Sequence, residues 1–329
     1  MERRAWRRPV TVLIAAVAVA LLLWVAPPGE VLHQLDTMRL SWLLAAVGFE
    51  LASCLSYIVL FRGVFPELPR RTCWRVAWIA MGTGAVLPGG NAASAVSTGL
   101  LLRNQEPDAR SLTRRCVAIL CLLTGLGFFA SGVAATLVLL GVDSRPYNLL
   151  HALGPIAVSA VVLGGAALLV LGTRRLGTRA PGLLRKLACG LEAGWCLLYS
   201  RQWQLLGAAG YAALDMAALW AACRATGHPL GAPALVLAYC IGYLATMIPV
   251  PAGIGVLDTG LSGSLVLYGV AGPAAVGAVL VYHLISVWIP GLGGLIAWLP
   301  SRIARVAGPL AGNPEPAAPV PDAHSLAPV

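Results

Sequence analysis

The sequence is dominated by long apolar blocks that are separated by short, arginine-rich loops. About eight such blocks of roughly 17 residues or more follow one another along the 329 residues, and each can approach or cross a hydrocarbon layer about 30 Å thick. Only 11% of the residues are charged, whereas a soluble domain carries about 25%. So little charge cannot cover a water-exposed surface, which excludes a soluble enzyme. We predict an all-α polytopic membrane protein.

The positive charge indicates how the loops are placed. The net charge is +10, and Lys186 is the only lysine among arginines that lie in short clusters between apolar blocks. Such clusters are typical of cytoplasmic loops. No basic segment is long enough to follow a run of phosphates, so we expect no nucleic-acid partner. The eight cysteines are scattered singly, and the sequence has neither metal-ligand spacing nor a nucleotide-binding motif, so we expect no metal and no cofactor.

The apolar blocks predict six full spans and two re-entrant hairpins. The full spans are placed at 10–26, 40–61, 116–140, 149–172, 203–222 and 273–299. Block 74–102 lies between two arginine clusters, so a single crossing would put one cluster on the wrong side. Its centre contains Leu87, Pro88, Gly89, Gly90 and Asn91, which a straight helix tolerates poorly.

A second block, 234–270, is too long for one span and is interrupted in the same way. The interruption contains Pro251, Gly253 and Gly255. We predict that both blocks form hairpins, because irregular backbone at membrane depth must be buried in protein or line a wet cavity.

The order of these segments predicts an inverted repeat. A span with an internal acid, a hairpin and another span occur twice, in half one (about 40–141) and half two (about 203–300). Broken helices in inverted halves are typical of transporters. We therefore predict one transmembrane domain over 1–307 with both termini in the cytoplasm, an interfacial segment near 183–198, and a disordered Pro/Ala-rich tail over 308–329.

Three stretches resemble a known family. They read AYCIGYLATMIPVPAGIGVLDTG within 238–298, LPGGNAASAV in the first hairpin, and GYAALDMAALWAACRATG in the span that precedes the second hairpin. Over roughly 40–299 the chain resembles the flippase-type transmembrane region of bacterial lysylphosphatidylglycerol synthases and its stand-alone integral membrane relatives of unassigned function. The resemblance implies translocation of lipid. Because the sequence shows no aminoacyl-transferring domain, it implies no lipid aminoacylation and no enzyme activity.

Three acids and a histidine lie within the apolar segments. A charged Glu50, Asp215 or Asp258 at the bilayer centre would cost about 2.5–3.5 kcal/mol, so each needs a wet cavity, a partner or a proton. Each could instead be a hydrogen-bonded structural acid, and Asp258 could simply favour the start of a helix. His283 could relay protons, pair with Asp258 or donate to a carbonyl group. The family resemblance implies a glutamate at the position of Asp258 and an arginine at the position of His283.

These features together predict a substrate path for an amphiphile. The glycine-proline turns precede short helices whose N-termini can hold an anion, although glycine also permits close helix packing. We expect flippase-like translocation of a phospholipid or other lipid-linked amphiphile across a bacterial plasma membrane, with membrane lipids and a proton or another coupling ion as partners. The alternatives are an ion-coupled secondary transporter of a small solute and a non-transporting scaffold. The residues assigned to the path are Glu50, Pro88, Gly89, Gly90, Asn91, Asp215, Pro251, Gly253, Gly255, Asp258 and His283.

Overall fold

A computed structural model describes residues 33, 36–87, 89–103, 108–142, 149–176, 181, 184–185, 188–192, 202–244 and 255–306. The regular elements of these residues are α-helices, as expected where lipid cannot hydrogen-bond to an open backbone. The main helices are α1 (Leu40–Val64), α2 (Arg70–Val86), α3 (Asn91–Leu102), α4 (Ala109–Leu139), α5 (Leu149–Leu176), α6 (Gln202–Ala225), α7 (Ala232–Leu244), α8 (Val256–Leu267) and α9 (Gly272–Val306).

Five of the described helices are long and apolar enough to cross a membrane. Their apolar portions are Leu40–Val64, Arg110–Leu139, Leu153–Leu176, Leu206–Ala225 and Gly272–Leu299. They coincide with five of the six predicted full spans. The sixth, 10–26, lies outside the described residues, as do the tail 308–329 and most of the interfacial segment.

Helix α5 shows most clearly which surface faces lipid. Its side chains Val161 and Leu168 are 73% and 71% exposed, and little of the helix is buried inside the protein. A soluble protein would not leave such a continuous apolar helix in water. The surface of the protein therefore matches a hydrocarbon environment.

Helices α1 and α6, one from each half, form an antiparallel pair. Ser53 Oγ donates to Tyr211 O at 2.9 Å, and Arg39 N at the start of α1 donates to Ala225 O at the end of α6 at 3.3 Å. A Cβ on Gly207 would lie 2.5 Å from Leu60 N, so the missing side chain lets the two backbones approach closely. Hence the middles of α1 and α6 meet.

Each of the two interrupted blocks forms a pair of short antiparallel helices. In α2–α3, Thr83 Oγ1 and Ser97 Oγ are hydrogen-bonded at 2.7 Å. In α7–α8, Ser264 Oγ donates to Ala238 O at 2.6 Å. Pro88 lies outside the described residues, and so does the segment 245–254 between α7 and α8, which includes Pro251 and Gly253.

The chain enters and leaves the α2–α3 hairpin at one end of the molecule. Arg115 near the start of α4 binds Glu67, just before α2, through two hydrogen bonds of 2.9 and 3.2 Å. The Arg115 guanidinium also lies 5.6 Å from the ring centroid of Phe65. The arginine clusters that flank the hairpin are therefore on the same side of the helices.

The first helix of each hairpin packs on the last long helix of the opposite half. On one side α2 packs on α9, where Arg75 Nε donates to Ala297 O at 3.2 Å and a Cβ on Gly82 would lie 2.7 Å from Pro290 O. On the other side α7 packs on α4, where Cys240 Sγ lies 3.5 Å from Gly127 O. Because each half packs a hairpin helix on a long helix of the other half, these contacts hold the two halves together.

Candidate functional site

A cavity of about 160 Å³ lies between the two halves. This volume is large enough for several water molecules. The cavity extends from the buried middle of the α1–α6 pair to the turn between α2 and α3, where Gly89 and Asn91 are exposed. Its polar lining residues are Glu50, Tyr57, Asn91, Ser94, Tyr211, Asp215, Tyr243 and Ser286.

Glu50 of α1 and Asp215 of α6 meet at the buried end of this cavity. Their exposed fractions are only 4% and 7%, both side chains line the same cavity, and their carboxyl groups are neighbours that interact electrostatically. The antiparallel crossing of α1 and α6 causes the contact, because it places the middle of each helix against the middle of the other. Two carboxylates this close cannot both be ionised without a compensating cation.

Tyrosine hydroxyl groups surround Asp215. Tyr282 Oη donates to Asp215 Oδ1 at 2.7 Å, and Tyr239 Oη donates to Asp215 Oδ2. The hydroxyl groups of Tyr243 and Tyr282 are hydrogen-bonded at 2.7 Å. Both carboxyl oxygens of Asp215 therefore have donors.

Glu50 is less well satisfied than Asp215. Its Oε1 lies 3.9 Å from Cys54 Sγ, a weak donor one helical turn away. Its Oε2 is buried and receives no hydrogen bond from a donor in the described part of the chain. Glu50, which lines the cavity, therefore has a carboxyl oxygen that lacks a hydrogen-bond donor among the described residues.

Sequence reasoning did not assign the tyrosines to the site. Tyr239 and Tyr243 are four residues apart on α7, so one face of that helix presents both of them. Their rings stack with centroids 4.3 Å apart. Their position inside apolar segments could have indicated a polar site, because a buried tyrosine hydroxyl group usually has a hydrogen-bond partner.

Asp258 and His283 form a second buried pair. His283 Nδ1 of α9 is hydrogen-bonded to Asp258 Oδ1, and Gly255 N donates to Asp258 Oδ2 at 2.9 Å. Asp258 therefore pairs with His283 and also lies in the first turn of α8, so two of the roles that the sequence left open for it occur together. Leu257, next to Asp258, and Ser286, about one helical turn after His283, line the cavity, so this pair lies near the cavity without lining it.

The turn before α3 requires glycine because of its backbone conformation. Gly89 and Gly90 have φ values of 102° and 50°, which residues with a Cβ rarely adopt. A Cβ on Gly90 would meet no atom within 4 Å, so close packing is not the reason for this glycine. Gly90 is the N-cap of α3 and provides no side-chain cap, and Gly255 is the equivalent N-cap of α8 with φ 79°.

The structure therefore brings most of the described candidate residues into one region. Glu50, Asp215, Gly89, Gly90 and Asn91 line one cavity, and Gly255, Asp258 and His283 form a cluster near it. Three assigned residues, Pro88, Pro251 and Gly253, lie outside the described residues.

A comparison with protein families identifies the family of this chain. The family described as the lysylphosphatidylglycerol synthase transmembrane region matches residues 10–294, which is most of the chain. The chain belongs to this family. The match confirms the resemblance that the hairpin sequences and the acid-containing spans indicated, and it agrees with the multi-pass membrane fold. No curated protein matches the chain.

Proposed function

We propose that this protein translocates a phospholipid or another lipid-linked amphiphile across the bacterial plasma membrane and does not aminoacylate it. The observation that carries the proposal is the cavity between the halves, which joins the Glu50–Asp215 pair to the N-terminus of α3. Polar and ionisable groups among apolar spans cost free energy in a membrane protein. A path for a polar head group explains why this protein keeps them.

The two ends of the cavity suit groups of opposite charge. The N-terminus of α3 carries the positive end of the helix dipole, which favours an anion such as a lipid phosphate. The Glu50–Asp215 pair favours a cation at the other end. A head group that contains both a phosphate and an ammonium group could occupy the path while its acyl chains stay in the bilayer.

We further propose that the halves are an inverted repeat and that α2–α3 and α7–α8 are re-entrant. Three observations support this arrangement: the antiparallel α1–α6 pair, the exchange of α2–α9 and α7–α4 contacts between the halves, and the Arg115–Glu67 ion pair across the ends of the first hairpin. The positive-inside rule then places the arginine-rich end in the cytoplasm, together with both termini.

Cysteine labelling of intact cells tests the topology. A thiol reagent that cannot cross membranes should modify Gly227→Cys and should not modify Ser111→Cys, because the two positions lie at opposite ends of the helices. The unsubstituted chain gives the background from its native cysteines, and labelling after cell lysis shows that both substituted positions can react. Labelling of Ser111→Cys from outside would overturn the first re-entrant hairpin.

Reconstitution tests the activity. Liposomes that contain the purified protein and a panel of labelled phospholipids should show faster movement between leaflets than protein-free liposomes. Gly90→Val should abolish this movement and Gly90→Ala should reduce it, because φ near 50° strains any residue with a Cβ.

The matched control for the glycine variants is Gly99→Ala on the same helix. A Cβ at Gly99 would also meet no atom within 4 Å, but Gly99 has ordinary helical geometry. Activity is expressed per folded molecule for each variant. If no labelled lipid moves faster with the protein than without it, the proposed function is wrong.

A further inference from the structure

The Glu50–Asp215 pair lacks the counter-charge that two buried carboxylates require. In the described residues, no arginine or histidine side chain forms an ion pair with either carboxyl group. The other titratable side chains that the described residues place around the pair are thiol and phenol groups, which carry no positive charge in either protonation state: Cys54 and Tyr57 of α1, Tyr211 of α6, Tyr239 and Tyr243 of α7 and Tyr282 of α9. Helices α2 and α8 present only Met81, Gly84, Ala85 and Leu257 to the same cavity.

Burial raises the free-energy cost of ionising both carboxyl groups without a counter-charge. An isolated carboxylate in an apolar environment pays a large desolvation cost, and a second carboxylate next to it adds repulsion. The tyrosine hydroxyl groups can stabilise one negative charge on Asp215. They cannot stabilise a second charge on Glu50, whose Oε2 has no donor in the described residues.

We propose that Glu50 and Asp215 together bind a single proton, shared between their carboxyl groups, and that a cation entering the cavity displaces it. The proton passes from the pair to water in the cavity and leaves two carboxylates. The positive charge of the arriving group then compensates the second carboxylate. The coupling part of this proposal rests on the proposed function, with the ammonium group of a lipid head group as the displacing cation.

The cavity supplies the route that such an exchange requires. It reaches both Glu50 and Asp215 at its buried end and the exposed Gly89 and Asn91 at its other end. Water in the cavity can therefore carry a proton between the pair and the surface, while the remaining sides of the pair are enclosed by α1, α6, α7 and α9.

Infrared spectroscopy of the full chain in detergent tests the proton site without any substrate. The wild-type protein should show the C=O stretch of a protonated buried carboxyl group, and the band should shift when the water is replaced by D₂O. The band should change in both pair variants. In Glu50→Gln it should disappear, because tyrosine hydroxyl groups stabilise the remaining Asp215 carboxylate, and in Asp215→Asn it should shift, because a lone buried Glu50 without a donor to Oε2 keeps its proton. The band should persist unchanged in Asp258→Asn, a control that removes a buried acid outside this pair.

The spectroscopic outcomes decide the proposal. The absence of the band from the wild type, or an unchanged band in both pair variants, would overturn the proton site. An unchanged band in only one pair variant would place the proton on one residue and overturn the sharing. Two different variants are used because each preserves side-chain size, so a folding failure of one does not prevent the test.

Transport under an imposed pH gradient tests the coupling. In liposomes with labelled phosphatidylethanolamine, the gradient should change the wild-type rate of lipid movement at least severalfold and leave any residual rate of Glu50→Gln unchanged. A wild-type rate that ignores the gradient would overturn the coupling while the proposed function stands. If the infrared band is present and no lipid of the panel moves, the proposed function fails and the proton site stands.

Discussion

Within the part of the chain that the structure describes, two buried sites hold their acids in opposite ways. Asp258 lies within half two, where His283 and the backbone N–H of Gly255 occupy its two carboxyl oxygens. Glu50 and Asp215 come from different halves and face each other as two carboxyl groups beside a cavity. One site is a locally satisfied pair, and at the other we propose that a proton or a cation compensates the second acid.

This difference separates a structural acid from an exchangeable one. A partner that is fixed in the fold stabilises a buried acid in every state of the protein. A pair without a fixed partner remains responsive to whatever enters the cavity. We therefore expect the Asp258 site to determine stability and the Glu50–Asp215 site to determine transport.

The largest expected effect is on stability at the Asp258 site. His283→Ala should lower the free energy of unfolding by about 3–5 kcal/mol, because it leaves a buried carboxyl group without its side-chain partner. Denaturant unfolding in detergent micelles measures this loss. Glu50→Gln is the comparison variant and should change stability by less than about 1 kcal/mol, since the amide group of glutamine can donate a hydrogen bond to Asp215 as the protonated carboxyl group does. Equal losses for both variants would contradict the division of roles.

The next effect is on transport at the Glu50–Asp215 site. Glu50→Gln and Asp215→Asn should each reduce lipid movement at least about fivefold, which corresponds to about 1 kcal/mol in the barrier. The protein should remain folded and inserted, because an amide and a carboxyl group are nearly equal in size. The liposome assay provides the rate, and unfolding of the same preparations provides the stability. Unchanged transport in either variant would favour a purely structural acid.

The smallest effect concerns the tyrosine hydroxyl groups that connect Asp215 to its surroundings. Tyr282→Phe removes the donor to Asp215 Oδ1 and the hydrogen bond with Tyr243. The loss of stability should be about 0.5 kcal/mol, at the low end for a hydrogen bond, because Tyr239 still donates to the same carboxyl group. Denaturant unfolding measures it against Tyr239→Phe, which should give a similar value. A loss as large as that of His283→Ala would show that Asp215 depends on fixed partners as Asp258 does.

The sequence alone determined the helical architecture and the family. The hydropathy of each block and the prolines and glycines that interrupt two of them are local properties, and lipid allows a spanning backbone few options besides helix. This is why five predicted spans and the two interrupted blocks were found before the structure was known. The three intramembrane acids were also visible, because a charged residue in an apolar block is conspicuous.

Only the tertiary structure decided which of these residues meet. The Ser53–Tyr211 hydrogen bond joins residues 158 positions apart, and the same crossing brings Glu50 to Asp215. Hydropathy cannot specify such a register, because every spanning helix satisfies its own backbone and its neighbours are chosen by side-chain packing. The tyrosines around Asp215 follow from that packing, as does the cavity. The Gly82 contact with Pro290 O likewise arises from the close approach of two helices that lie far apart in sequence.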